Sequence, residues 1–377
     1  MQGSQLTDIT IVIPSYERPE FLKRSMLFWD AVGINLIVVD GSDTPLPSIF
    51  LDSLKRSIRY FHLPISFEKR LQVGMHAVDT PFVAMIGDDE FFTVEGLLAC
   101  RNELVEDKNL VSCTGICWDF YVQDHSLHFT ERYVNWLDNC SIGGDDSFSR
   151  IRDFAENGMS AICYSLVRTS SWKNASDVIS VNPDGVTFLT EIFIELVIAF
   201  EGKTKVIDKP YWIRSIESES HWETQATVSI EKWLKDPRYR KEREEYLDTF
   251  ASVCKVEENL LDLFKAELYS ALDVISMRTS GIKNSSLNRY PFLERIVTKM
   301  FIEIPPQIRN QKFFEMVIAF LKKTFNSHHS SDYRGLQKGG LFEINLKGPL
   351  KINSIFGHQL PQSMAVIISS LKKFYKL

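Results

Sequence analysis

The chain has 377 residues, 44% of them hydrophobic and 24% charged, with a formal net charge of −6. That length and apolar content suit a globular protein with a sizeable core, longer than one average domain, and the acidic balance argues against a nucleic-acid binder that depends on neutralising phosphates. The six cysteines form no CxxC pair and no zinc-type Cys/His spacing, which excludes an obvious zinc site and favours reduced, buried thiols. Residues 1–8 lack the charged-then-apolar pattern of a secretory signal. No apolar run reaches the roughly 20 residues of a bilayer span, so the expected location is the cytoplasm.

Residues 9–13, Ile-Thr-Ile-Val-Ile, read as a buried strand that runs into the loop Pro14-Ser15-Tyr16-Glu17-Arg18-Pro19 and then a helix over 20–32. A second apolar strand, 36–39, ends in Asp40-Gly41-Ser42-Asp43. A third, 59–63, precedes a helix over 67–78, and a fourth, 83–86, runs into Gly87-Asp88-Asp89-Glu90 followed by Phe91-Phe92. This alternation predicts a mostly parallel sheet. Ligands of such sheets collect outside the carboxyl ends of the strands, where Pro14, Asp40 and Asp88 all fall. Three adjacent carboxylates repel one another, and a cation or a hydrogen-bond network must offset that repulsion if they stay ionised. A hard divalent ion prefers such oxygen ligands.

These motifs, in this order, resemble the GT-A glycosyltransferases, especially the family-2-like group that builds bacterial surface polysaccharides. The resemblance covers about the first 225 residues. It implies an α/β, Rossmann-like, mostly parallel sheet flanked by helices, with a mainly helical C-terminal region appended. It also implies that Pro14, Ser15, Tyr16 and Arg18, with Asp40, Gly41 and Ser42, hold the nucleotide of a sugar donor. Lys69, with Arg70 beside it, is a further candidate for that contact. Asp88 and Asp89 are expected at the donor and at a divalent metal, Mn²⁺ or Mg²⁺. Glu90 stands where a third Asp is commoner and offers an oxygen on a longer arm. In the polar loop 214–224, His221 could complete the metal site and Trp222 could cap a ring.

Between 111 and 182 the pattern is less regular, with a strand at 111–115 and a Gly/Asp/Ser loop at 139–149. A helix over 188–200 is apolar nearly all round, stops at Glu201-Gly202 and leads to a strand at 204–207. The resemblance puts the catalytic base at the start of this helix. There Thr190-Glu191 replaces the family's Glu-Asp pair, so Glu191 is the candidate, with Asp184 and Glu195 as fallbacks.

After Trp222 the composition shifts to charged helical stretches over 230–251 and 256–277, which sets a boundary near 226 between a donor-binding domain, 1–225, and a helical region, 226–377. Near the end Met364, Ile367, Ile368, Leu371 and Phe374 recur at helical spacing beside Lys372, Lys373 and Lys376. They suit a docking or dimer helix, or a peripheral membrane contact.

Each motif also has a plainer reading: a solvated acidic turn at 88–90, an ordinary turn at Asp40-Gly41, helix-entry chemistry at Glu17-Arg18-Pro19, and an acid favoured by the helix dipole at Glu191. Together they make a metal-dependent, inverting glycosyltransferase the expected function, moving a sugar from a nucleoside diphosphate, UDP favoured, to a hydroxyl of a glycan or lipid-linked acceptor. A non-catalytic glycan- or nucleotide-binding partner is the alternative from another class. A sugar nucleotidyltransferase is the second alternative, weakened by the lack of a Gly-rich loop after the first strand. A dinucleotide-binding enzyme fails for want of GxGxxG.

Overall fold

The structure is a computed structural model of the chain that describes residues 6–55, 58–123, 125–132, 142–157, 162–180, 187–216, 228–284, 341–345, 354–355, 358–359 and 361–375. Four strands, β1 (Ile9–Ser15), β2 (Asn35–Asp40), β3 (Arg59–His62) and β4 (Phe82–Met85), form a parallel set in the order β3-β2-β1-β4. Between them lie the helices α1 (Pro19–Val32), α2 (Ser48–Asp52) and α3 (Phe67–His76). Pro19 opens α1, where its missing N–H costs nothing, and Gly33 closes it in the left-handed conformation, φ 83°, donating to the Trp29 carbonyl.

After the acid triplet come the short strand β5 (Phe91–Phe92) and α4 (Val94–Glu106), whose N-cap Thr93 accepts from Gly96 N–H. The long strand β6 (Leu110–Gln123) then pairs with β7 (Ser126–Arg132), and α5 (Ser147–Asn157) leads to β8 (Leu166–Arg168), which lies antiparallel between β4 and β6. Helices α6 (Thr169–Ile179) and α7 (Thr187–Glu201) precede β9 (Lys203–Ser215), which runs parallel to β6 and carries β5 along its other edge. The sequence reading had shorter strands at 111–115 and 204–207. Both continue because bulges in the β6–β9 register keep the two ladders paired through aromatic residues.

Alternate residues of the central strands enter two separate apolar layers. Ile9, Ile11 and Ile13 of β1 face one layer and Val12 the other; Leu36 and Val38 of β2 face the first, Ile37 and Val39 the second. Period-2 alternation with both faces apolar is why these strands read as unbroken hydrophobic runs. Helices α1 and α4 fill the first layer, and α3, α5, α6 and α7 the second.

Residues beyond 226 join both layers. Helices α8 (Ile230–Lys235), α9 (Arg240–Val253) and α10 (Leu261–Asn284) pack Trp233, Phe250 and Phe264 into the second. The first receives Ile344 of β10 (Leu341–Asn345), an edge strand paired with β7, and the apolar seam of α11 (Ser363–Phe374). The single helix expected over 230–251 breaks at Asp236-Pro237 because proline cannot donate within a helix. Among the described residues no helix is long and apolar enough to cross a membrane.

Candidate functional site

Strand register aligns three neighbouring strand ends. Ser15 of β1 pairs with Asp40 of β2, and Asp40 pairs with His62 of β3. Gly41 N–H donates to the Ser15 carbonyl at 2.9 Å, carrying the ladder one step past the sheet. Asp40 is only 1% exposed. Its Oδ1 accepts from Ser42 N–H at 2.9 Å and its Oδ2 from the Tyr60 hydroxyl at 2.6 Å. His62 Nε2 lies 2.7 Å from the Ser42 carbonyl, and Ser42 Oγ accepts from Glu17 N–H at 2.8 Å. Glu17 adopts a left-handed φ of 54° there, and its carboxylate accepts from Asp43 N–H at 2.7 Å. Side-chain caps of this kind hold the two loops together without regular structure.

Gly41 lies against the Arg70 guanidinium. A Cβ on it would stand 2.4 Å from Arg70 Nη1 and 2.6 Å from Arg70 Cζ. Arg70 is buried at this edge, donates to the Ile65 carbonyl at 3.0 Å and lies 5.8 Å from the ring centre of Tyr16, which is 42% exposed. On α3, Arg70 is buried at this edge and its neighbour Lys69 is exposed. Pro14 stays within β1, paired with Val39.

The acid triplet sits in the turn between β4 and β5. Ser15 Oγ donates to Asp88 Oδ2 at 2.6 Å. The Arg18 guanidinium bridges both aspartates, Nη1 to Asp88 Oδ1 at 2.9 Å and Nη2 to Asp89 Oδ2 at 2.6 Å. From α1, Arg24 Nη2 donates to the Asp89 carbonyl at 2.7 Å. Burial pushes the Asp88 carboxyl above the usual carboxylate range, opposed by Arg18 and by the Ser15 hydrogen bond. Burial alone would lower Arg18, but Asp88 and Asp89 more than reverse this and raise it.

Glu90 points the other way. Its Oε2 accepts from Trp212 Nε1 at 2.9 Å and its Oε1 lies 3.9 Å from Arg214 Nε. Burial and the Asp89 charge push Glu90 up. Asp88 and Asp89 thus converge on one cation, the Arg18 guanidinium. Trp212 and Arg214 thus engage both Glu90 oxygens. Among the described residues no group of three or more His, Cys, Asp or Glu could hold an ion. His221 and Trp222, like the fallback base Asp184, lie outside the described residues.

On the far side of Trp212 is the candidate base. Trp212 stacks on Tyr164, ring centres 4.5 Å apart and planes 18° off parallel, and the Tyr164 hydroxyl donates to Glu191 Oε1 at 3.2 Å. Burial pushes Glu191 up to about 7, while Tyr164 and the Arg214 charge pull it down. Glu195, one turn along α7, is 1% exposed and accepts from the backbone N–H groups of Ile162 and Cys163 at 3.2 and 3.3 Å, which gives it a local structural task. Asp119 ties β6 to this wall through Arg132 at 2.8 Å and Arg214 at 3.4 Å.

Sequence reasoning missed Tyr60, Tyr164, Trp212 and Arg24. For Tyr60 a signal existed, since Tyr60 and His62 alternate onto one face of a strand adjoining Asp40. The other three reach the site through pairings between distant segments.

No protein-family model matches the chain, and no curated protein matches it. Among solved structures it is similar to Staphylococcus aureus TarS 1-349, at 13% identity and a TM-score of 0.48 over 89% of this chain and 96% of that one. For TarS 1-349 in complex with UDP-GlcNAc the identity is 14% and the TM-score 0.49, over the same shares. The TarS 1-349 complex with UDP gives 14% and 0.43, again over 89% and 96%. Likeness at this level assigns no activity to this chain.

Proposed function

We propose that the chain is a GT-A-type glycosyltransferase that moves a sugar from a nucleoside diphosphate, with a UDP-sugar the favoured donor, to a hydroxyl of a glycan or lipid-linked acceptor with inversion. One observation carries the reading. An unbroken run of contacts leads from the loop after β1 to the candidate base: Ser15 and Arg18 to Asp88 and Asp89, then Glu90 to Trp212, Tyr164 and Glu191. A donor-binding edge and a carboxylate of raised pKa therefore share one wall, as acid–base chemistry at a bound donor requires.

In this scheme the loops 14–18 and 40–42 bind the nucleotide, with Tyr16 and Arg70 at the pocket edge. Ser15 and Arg18 orient Asp88 and Asp89. A divalent ion held by Asp88 and Asp89 would neutralise charge developing on the departing diphosphate. Glu191 takes the proton from the acceptor hydroxyl, and Tyr164 fixes the carboxylate through its hydroxyl while Trp212 holds the Tyr164 ring. Attack from the face opposite the leaving group inverts the anomeric carbon.

Calorimetric titration of UDP, GDP and CMP, each with Mn²⁺, Mg²⁺ or EDTA, on wild type and Asp89→Ala tests the reading. Metal-dependent binding of one nucleotide, lost in the variant, is the expected result; no binding by any nucleotide refutes it. The internal pairing of Asp88 and Asp89 with Arg18 favours a second reading, a binding partner that keeps the fold without turnover. Release of diphosphate nucleotide from a UDP-sugar without acceptor would exclude that reading.

A further inference from the structure

Arg24 is 4% exposed, and its guanidinium lies among three phenylalanine rings: Phe21 at 5.0 Å and Phe91 at 5.3 Å to the ring centres, and Phe374 at 4.6 Å. Phe21 belongs to α1 and Phe91 to β5, whereas Phe374 arrives on α11 from the opposite end of the chain. The Phe374 and Phe21 ring centres are 5.3 Å apart, and Arg18 lies 4.5 Å over the other partner of that pair, Phe21. Both arginines that grip the acid turn therefore lean on one aromatic cluster, and α11 completes it.

The other end of α11 is fastened directly behind the same turn. Ser363 Oγ donates to Glu95 Oε2 at 2.5 Å and accepts from Val94 N–H at 3.2 Å, while Ser363 N–H donates to Glu95 Oε1 at 3.1 Å. Val94 and Glu95 open α4, which follows β5 after one residue. Met364, Ile367, Ile368 and Leu371 seal the helix onto the first apolar layer. The C-terminal helix thus braces α1 on one flank of residues 88–90 and α4 on the other.

We infer that α11 is a positioning element of the donor site, and that Phe374 closes an aromatic cage that fixes Arg24 and, through it, the Asp88–Glu90 turn. Phe374 acts through Arg24 and is a positioning residue. A desolvated guanidinium over aromatic faces is held by the ring quadrupoles as well as by contact area, and from this position Arg24 Nη2 reaches the Asp89 carbonyl at 2.7 Å. The consequence for catalysis rests on the donor reading above, because small displacements of positioning groups cost rate steeply.

The test compares Phe374→Leu, which keeps apolar bulk and removes the π face, with Phe374→Tyr, which keeps both. Val366→Ser, on the exposed side of α11, is the control. Amide exchange across residues 83–92 reads the turn itself, and UDP titration with UDP-sugar hydrolysis reads the donor site. Phe374→Leu is expected to speed exchange at 87–90 and lower kcat/KM for the donor about tenfold at a nearly unchanged melting temperature, with Phe374→Tyr and Val366→Ser like wild type. Arg24→Lys, which keeps the charge but gives up planar stacking, is expected to loosen the same amides. Equal exchange in Phe374→Leu and Phe374→Tyr would overturn the inference even if nucleotide binding is intact. Loosened amides in a protein whose wild type binds no nucleotide would support the cage and overturn only the donor reading.

Discussion

Glu191→Gln is the sharpest perturbation of the proposed base. Glutamine is nearly isosteric and its Oε1 still accepts from Tyr164, which donates to Glu191 at 3.2 Å, so the wall from Trp212 to α7 is kept. What is lost is the proton-accepting carboxylate, a loss worth roughly 10²- to 10⁴-fold in rate when general-base help is removed. The pH profile carries an independent signature. Burial pushes Glu191 up to about 7, and a base acts only when deprotonated, so turnover rises with pH through that value. With such a pKa about one-tenth of the carboxylate is ionised at pH 6 and about nine-tenths at pH 8, so kcat should climb nearly tenfold across that interval. The assay is release of nucleoside diphosphate from a UDP-sugar at saturating donor between pH 5.5 and 8.5, beside UDP titration of both proteins. Glu191→Gln should bind UDP as wild type does and turn over at least 100-fold more slowly. Full turnover in the variant would refute the role of Glu191.

The same carboxyl makes a stability prediction: the folded state holds a proton between the ordinary glutamate range and about pH 7 that the unfolded chain has released, so stability falls as pH rises through that window. Melting temperatures of Glu191→Gln should match wild type near pH 4 and exceed it at pH 8; equal differences at both pH values would contradict this. Arg214 holds the Glu191 pKa down, so Arg214→Gln should move the rising limb of the rate profile to higher pH, and an unmoved limb would show that the charge does not reach the base. Gly41→Ala would set a Cβ 2.4 Å from Arg70 Nη1. Displacing that guanidinium should weaken UDP binding with the fold intact by circular dichroism; unchanged affinity would count against a nucleotide contact by Arg70. Trp172, fully buried in the second layer, should cost about 3–5 kcal/mol when truncated to Ala in urea denaturation, with a loss below 1 kcal/mol contradicting the packing described.

Local chemistry was legible wherever one segment carries its own signal. Residues 9–13, 36–39 and 83–86 are apolar on both faces, and that pattern has few stable solutions other than the centre of a parallel sheet. The edge that gathers Pro14, Asp40 and Asp88 followed from strand ends alone. Glu191 at the start of an apolar helix was equally visible, as was the likeness of its surroundings to a known pattern. Strand β10 was not, because five residues on a sheet edge carry too little periodicity to separate them from a loop. Which of Lys69 and Arg70 is buried was hidden too, since adjacent helix positions differ only in which way the helix is turned against the sheet.

By itself the sequence determined the order of the first four strands, the positions of the acids and the apolar faces that had to be buried, because each depends on residues close along the chain. Only the tertiary structure decided what those acids touch. It set Arg18 between Asp88 and Asp89, turned Glu90 to Trp212, leaned Tyr164 between Trp212 and Glu191, and brought Phe374 to Arg24. Such contacts join side chains from segments far apart in sequence, and their geometry is set by how the two apolar layers close on the sheet, which no local pattern encodes.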